Sequence, residues 1–246
     1  MKLILLGTTG YHPSERQHTA CFILPEIGVV LDAGSGMFRV RDWLCTPTLD
    51  IFVTHAHLDH VLGLTFLFDV LFQKSMDRVT VHGEPQKLAA LQRHLFTEDI
   101  FPAPAPFLWQ SLANEVPLGE GGRLTHFPLE HPGGAVGFRL DWPSRSMAYV
   151  TDTTARSGAA YVEKIRGVDL LIHECNFPDE AAEWAIKTGH SWTTNVAKVA
   201  VEANVGRLIL VHVNPLDNIP DPIGIDVARA IFPRAELGFD GQVIEF

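Results

Sequence analysis

The chain has 246 residues, with 29 acidic against 19 basic side chains and a formal net charge of −10 when histidine is counted as neutral. Apolar residues make up 46% and charged residues 20%, an ordinary globular composition that excludes a disordered or fibrous chain. No apolar run approaches the ~20 residues of a membrane span, and the first six residues are too short for a secretory signal. Three scattered cysteines, Cys21, Cys45 and Cys175, suit a reducing compartment rather than a disulfide framework, so the expected location is the cytoplasm. The acidic balance argues against generic binding to nucleic acid or anionic membranes.

In chain order, residues 2–6 read as a strand that ends in the turn Gly7-Thr8-Thr9-Gly10. Residues 19–24 and 28–32 read as a hairpin around Pro25-Glu26, and residues 51–54 as a short β-branched strand. Residues 61–72 suggest a buried helix. Residues 84–96 suggest an amphipathic one, with Pro85 suited to its first turn. Three prolines make residues 101–107 an extended loop. Strands follow at 123–127, 135–142 and 146–151, then a helix at 159–165 and a strand at 168–173. Helices at 179–187 and 193–203 precede a strand at 207–212. The close, 235–239 and 242–246 around Asp240-Gly241, carries a hairpin signal. No repeat or long linker interrupts this order, which predicts a single domain over residues 1–246. The expected class is α/β: two sheets face to face with helices outside, a four-layer αββα sandwich.

The strongest chemical signal is Thr54-His55-Ala56-His57-Leu58-Asp59-His60, directly after a predicted strand. His55 and His57 are two apart and share a side of an extended segment, while Asp59 and His60 fall where the next helix begins. Imidazole and carboxylate donors without thiolate suit Zn²⁺ and tolerate Mn²⁺ or Fe, and this cluster can serve two cations in one pocket. The competing reading, a group of solvated surface histidines, does not account for such density.

These residues, with the Gly7-Thr8-Thr9-Gly10 opening, Leu31-Asp32-Ala33-Gly34-Ser35-Gly36 and the closing Phe239-Asp240-Gly241, resemble the metallo-β-lactamase-fold hydrolases. Within them the chain looks most like the ribonuclease Z and cyclic phosphodiesterase group. The resemblance implies two divalent metal ions. One would be held by His55, His57, His131 and Asp152, the other by Asp59, His60, His212 and the same Asp152 as bridge. His126 is the substitute if His131 is not the third histidine. Asp32 and Thr54 are candidates to orient the histidines.

A second pair, Ile172-His173-Glu174-Cys175-Asn176 and Gly189-His190-Ser191-Trp192, resembles two motifs that meet at the active site of the ribonuclease Z group. Through it His190 becomes the residue facing the scissile phosphate, and Glu174 the carboxylate that orients it. The bland alternative is a helix N-terminus with Ser191 as its cap. Asp59 is a further catalytic candidate, as acceptor of the nucleophile's proton.

Ribonuclease Z enzymes that mature transfer RNA generally carry a protruding arm, in one branch between the third histidine and the bridging aspartate. Here two predicted strands fill that interval. The expectation is therefore a phosphodiesterase that uses a metal-bridging hydroxide on a small or short, flexible phosphodiester, without strong nucleic-acid or membrane binding. A homodimer is compatible with the resemblance. The alternatives are a transfer-RNA 3′-processing endoribonuclease, a lactone, thioester or sulfate-ester hydrolase, and a non-catalytic metal-binding or sensing protein.

Overall fold

Runs such as Leu3-Ile4-Leu5-Leu6 and Cys21-Phe22-Ile23-Leu24 have no polar member to turn toward water, the pattern of strands covered on both faces. In the computed structural model, which describes residues 1–216 and 219–246, all eight are buried. The chain divides into two compact units, residues 1–113 with 240–245, and residues 114–239 with 246.

The first unit is built on β1 (Lys2–Gly7), β2 (Cys21–Leu24), β3 (Val29–Leu31), β4 (Thr48–Phe52), β5 (Arg78–Gly83) and β6 (Leu108–Ser111). The chain's last strand, β14 (Val243–Glu245), joins it, giving the order β14-β1-β2-β3-β4-β5-β6. The pairings from β14 to β3 are antiparallel, and those from β3 to β6 are parallel. Its helices are α1 (Val40–Trp43), α2 (Leu58–Val61), α3 (Leu67–Val70) and α4 (Pro85–His94). Met37, Val40, Leu64, Leu67 and Leu88 pack with Ile4, Ile23, Val30, Ile51 and Val81 of the sheet to form this unit's core.

The second unit holds β7 (Glu115–Leu118), β8 (Gly122–Leu129), β9 (Ala135–Trp142), β10 (Arg145–Val150), β11 (Leu170–Glu174), β12 (Arg207–Val211) and β13 (Ala235–Leu237), paired in that order. Again three antiparallel pairings, β7 to β10, give way to three parallel ones, β10 to β13. Helices α5 (Ala160–Lys164), α6 (Ala182–Thr188), α7 (Thr193–Glu202) and α8 (Ile225–Ile231) complete it. Val162, Val196, Ala200 and Ala228 pack with Ala148, Val150, Leu171 and Leu208. Each unit thus repeats one plan, with parallel strands whose carboxyl ends form one edge, the place where open α/β sheets bind ligands.

Two sequence expectations need correction. Residues 61–72 do not form one helix: α2 gives way to a 3₁₀ segment, Leu62–Phe66, and then to α3. Gly63 explains the tight segment, since a β-carbon there would stand 2.2 Å from the Gly34 carbonyl oxygen and 2.3 Å from Met37 Cβ. The closing segments are not a hairpin either. β13 pairs with β12 and β14 with β1, in different sheets. The Asp240-Gly241 turn signal is real, but Asp240 is held by Arg39 at 2.6 Å and accepts from the Thr8 hydroxyl and the His18 amide.

Candidate metal centre

In the first unit, β4 lies between β3 and β5, and parallel pairing carries all three to one edge. Beyond β4 the chain passes through a bend at Thr54 and reaches His57, the extended residue preceding α2 (φ −68°, ψ 146°). His55 and His60 are buried, His57 is exposed, and Asp59 is half-buried. The His55 ring centroid lies 4.5 Å from that of His57 and 4.2 Å from that of His60.

Asp32, directly after β3, organises this group. It is fully buried and adopts φ +57°, a left-handed conformation that Asp tolerates better than most residues. The His60 Nδ1–H donates to Asp32 Oδ2 at 2.8 Å, and Thr54 donates to Asp32 through its amide (2.8 Å) and its hydroxyl (2.9 Å). With the Thr54 proton committed, His55 Nδ1–H donates to Thr54 Oγ1 at 3.0 Å. One carboxylate therefore sets the tautomer of two histidines and leaves each Nε2 as the lone-pair donor that a metal requires. Asp59 Oδ2 lies 3.4 Å from His60 Nε2 and accepts the Tyr11 amide at 2.8 Å. Asp32→Asn keeps the backbone tolerance but presents an amide to one of these donors. Metal affinity should fall about 10–100-fold, read by competition with a chelator.

In the second unit, four strands that run the same way, β8, β10, β11 and β12, deliver one polar residue each at their carboxyl ends. These are His131, Asp152, Glu174 and His212. Asp152 Oδ2 lies 3.6 Å from His131 Nε2, and its Oδ1 lies 3.3 Å from His212 Nε2. These separations exceed a hydrogen bond. They approach the spacing of two ligands on one tetrahedral ion with bonds of 2.0–2.1 Å, roughly 3.3–3.4 Å. The carboxylate thus turns one oxygen to each histidine, as a bridge between two ions would. His126 lies within β8, opposite Phe138, and the structure sets His131 rather than His126 beside Asp152.

The second ring nitrogen of His131 is occupied. Nδ1–H donates to the Gly189 carbonyl at 2.9 Å. Gly189 ends α6 at φ +78°, and a β-carbon there would meet Pro132 Cδ at 2.5 Å and His131 Nδ1 at 3.2 Å, so only glycine fits without displacement. His212 adopts φ +61°, a strained backbone for a bulky residue, and its carbonyl accepts the Asn176 side-chain amide at 2.8 Å. Sequence reasoning missed this role of Asn176; the only signal was that the residue departs from the family motif. Cys175 beside it is fully buried, and burial pushes its thiol up, so it supplies no thiolate.

His190 sits against both histidines of this unit, its ring centroid 5.2 Å from that of His131 and 5.4 Å from that of His212. Its Nδ1 is 4.0 Å from Asp152 Oδ2 and 3.5 Å from Glu174 Oε1. The second distance is longer than a hydrogen bond, because Glu174 Oε1 accepts two backbone amides, Ser191 at 2.8 Å and Thr153 at 3.2 Å. The buried Glu174 carboxylate thereby ties the segment after Asp152 to the segment after His190. Ser191 does not cap α7. Its hydroxyl donates to the Thr153 carbonyl at 2.7 Å.

A family model described as a β-lactamase superfamily domain matches residues 29–213. The ribonuclease Z of Haloferax volcanii is 25% identical, covering 100% of this chain and 95% of its own length. That of Bradyrhizobium diazoefficiens is 28% identical, covering 97% of each. Among solved structures, the metallo-β-lactamase-fold protein YhfI of Bacillus subtilis superposes with a TM-score of 0.84 at 20% identity, over 99% of both chains. Human tRNase Z, short form, gives 0.77 at 22% identity, over 100% of this chain and 99% of its own.

These findings overturn one expectation. A small phosphodiester substrate without nucleic-acid binding does not stand when relatives aligned along nearly the whole chain are ribonucleases. That expectation rested on the net charge and on the missing arm between His131 and Asp152. The count of −10 omits any bound divalent cations, which are the largest local charges in such a site. The α/β class and the metallo-β-lactamase type expected from the sequence are present. The chain belongs to the β-lactamase superfamily as a metal-dependent hydrolase of the metallo-β-lactamase fold.

Proposed function

We propose that the chain is a ribonuclease Z-type phosphodiesterase that cuts RNA, with transfer-RNA precursors as the first substrate to test. The observation that carries this reading is the relatives' shared name combined with coverage of nearly the whole chain. The motif pair around Glu174 and His190 supports it. In this reading residues 1–246 act as one hydrolase domain. His55, His57, His131 and Asp152 hold one ion, and Asp59, His60, His212 and Asp152 a second. Zinc suits a donor set of imidazoles and carboxylates without thiolate. Three free cysteines accord with the cytoplasm.

Bound divalent ions supply Lewis acidity and lower the pKa of water toward about 7. The rest falls to the side chains. Asp59 accepts the proton of the attacking water, its geometry fixed by the Tyr11 amide. His190 donates toward the departing oxygen or steadies charge on the phosphoryl group. Glu174 positions it through the Ser191 amide. The interval from His131 to Asp152 is filled by β9 and β10, so no arm protrudes there. The alignment with the Haloferax enzyme spans 308 positions, so that relative carries segments this chain lacks.

The test is incubation of zinc-loaded protein with a precursor transfer RNA bearing a 3′ trailer, with cleavage mapped at nucleotide resolution. One cut at the trailer junction is expected. Intact precursor, together with hydrolysis of lactones or thioesters, would assign the scaffold to another ester.

A further inference from the structure

Residues 153–159 lead from Asp152 to α5, and polar contacts secure the segment along its length. Thr153 Oγ1 donates to the Glu130 carbonyl at 3.2 Å, and the Ala155 amide to Ser191 Oγ at 2.9 Å. Asn195 donates to the Ala155 carbonyl at 3.0 Å. The Ser157 hydroxyl and the Gly158 amide donate to the Glu202 carboxylate at 2.5 Å and 3.0 Å. Such anchoring gives a pre-organised loop.

From its middle Arg156 projects outward, its side chain 60% exposed. The carboxylate within ion-pair reach is Glu130, at 3.9 Å and itself 85% exposed, a pair worth little in water. A guanidinium on a fixed loop, without a close internal partner, is set to bind a phosphate. Arg39 and Arg41 differ: they are engaged with Asp240 and Asp69 at 2.6 and 2.9 Å.

The same loop walls a cleft of about 390 Å³. Leu129, Ala160 and Tyr161 provide an apolar side, and Thr154, Ser157 and Arg156 a polar rim. The Tyr161 hydroxyl is committed to His173 Nε2 at 3.0 Å and its ring is stacked on Phe127, so this buried residue forms part of the cleft's apolar floor and offers no hydrogen bond. Thr153, also lining the cleft, directly follows Asp152, and consecutive Cα atoms lie about 3.8 Å apart. An apolar wall, hydroxyls and one arginine next to the bridging aspartate match a nucleotide: flat base, ribose, then phosphate.

Building on the RNA reading, we propose that this cleft seats the nucleotide adjoining the scissile phosphate, with Arg156 on the next phosphate along the strand. It gives a chain with no arm between His131 and Asp152 a grip close to the chemistry.

The test compares zinc-loaded wild type, Arg156→Glu and Ala160→Trp, the last filling the cleft from the exposed start of α5. Binding of a fluorescent single-stranded RNA is titrated at several salt concentrations, and cleavage of the same RNA is followed. Both variants should weaken binding about 10-fold or more. Arg156→Glu should also make the slope of log K against log salt shallower by about 0.7, one phosphate contact on a single strand. Unchanged binding in either variant, while wild type cuts the RNA, overturns the cleft. A wild type that neither binds nor cuts RNA overturns the RNA reading on which the cleft rests.

Discussion

Asp152→Ala should release both metal ions together and abolish hydrolysis. Its two carboxylate oxygens face different histidines, Oδ1 toward His212 at 3.3 Å and Oδ2 toward His131 at 3.6 Å, so each proposed ion loses a ligand at once. Elemental analysis should fall from two ions per chain to well below one. Hydrolysis should drop more than about 10³-fold, since water unassisted by a metal is a far weaker acid than water bound to one. Asp152→Asn retains one oxygen donor and should keep more metal than the alanine variant. Loss of a single ion in Asp152→Ala would place the bridge elsewhere.

The second large effect is expected at His190. It is not needed to complete either proposed ion site, yet its ring lies against His131 and His212, with Nδ1 4.0 Å from Asp152. His190→Ala should leave metal content and melting behaviour near wild type while lowering kcat about 10²–10⁴-fold, the usual contribution of a general acid or base. A nitrophenolate leaving group, which needs no proton, should suffer less than a ribose oxygen. Equal losses would assign the side chain to phosphoryl charge instead. Glu174→Gln should give a smaller loss, because an amide oxygen can still accept the Ser191 and Thr153 amides. Full activity of His190→Ala on every phosphodiester would leave the motif resemblance without chemical meaning.

Local chemistry made much of the site legible. The His55 to His60 cluster follows a strand whose β-branched residues announce it, and Asp32 and Thr54 stand where a histidine needs orienting. Long-range pairing was not legible. Asp240-Gly241 has the composition of a hairpin turn, and only the sheets themselves show that β13 joins β12 while β14 returns to β1. Residues 61–72 have the apolar content of a helix. The close approach of Gly63 to Gly34 breaks it, and that contact spans a separation no local window contains. Asn176 supports His212 from 36 residues away, across two adjacent strand ends, so its role emerges only once β11 and β12 are paired. Strands β5, β6 and β7 and helices α1 and α8 lie outside the expected elements. β6 and β7 alternate or are largely exposed and carry little apolar signal. Glu174 reaches His190 through the neighbouring Ser191 amide, a backbone contact that residue types alone do not reveal.

In the proposed centre the Asp152 carboxylate would serve both ions. X-ray absorption at the zinc edge of the reconstituted protein tests it most directly. A metal–metal vector of about 3.5–4 Å, with a ligand shell of nitrogen and oxygen and no sulfur, is the predicted result. A shell without any metal–metal vector at two bound zinc ions per chain, or one containing sulfur, would contradict it.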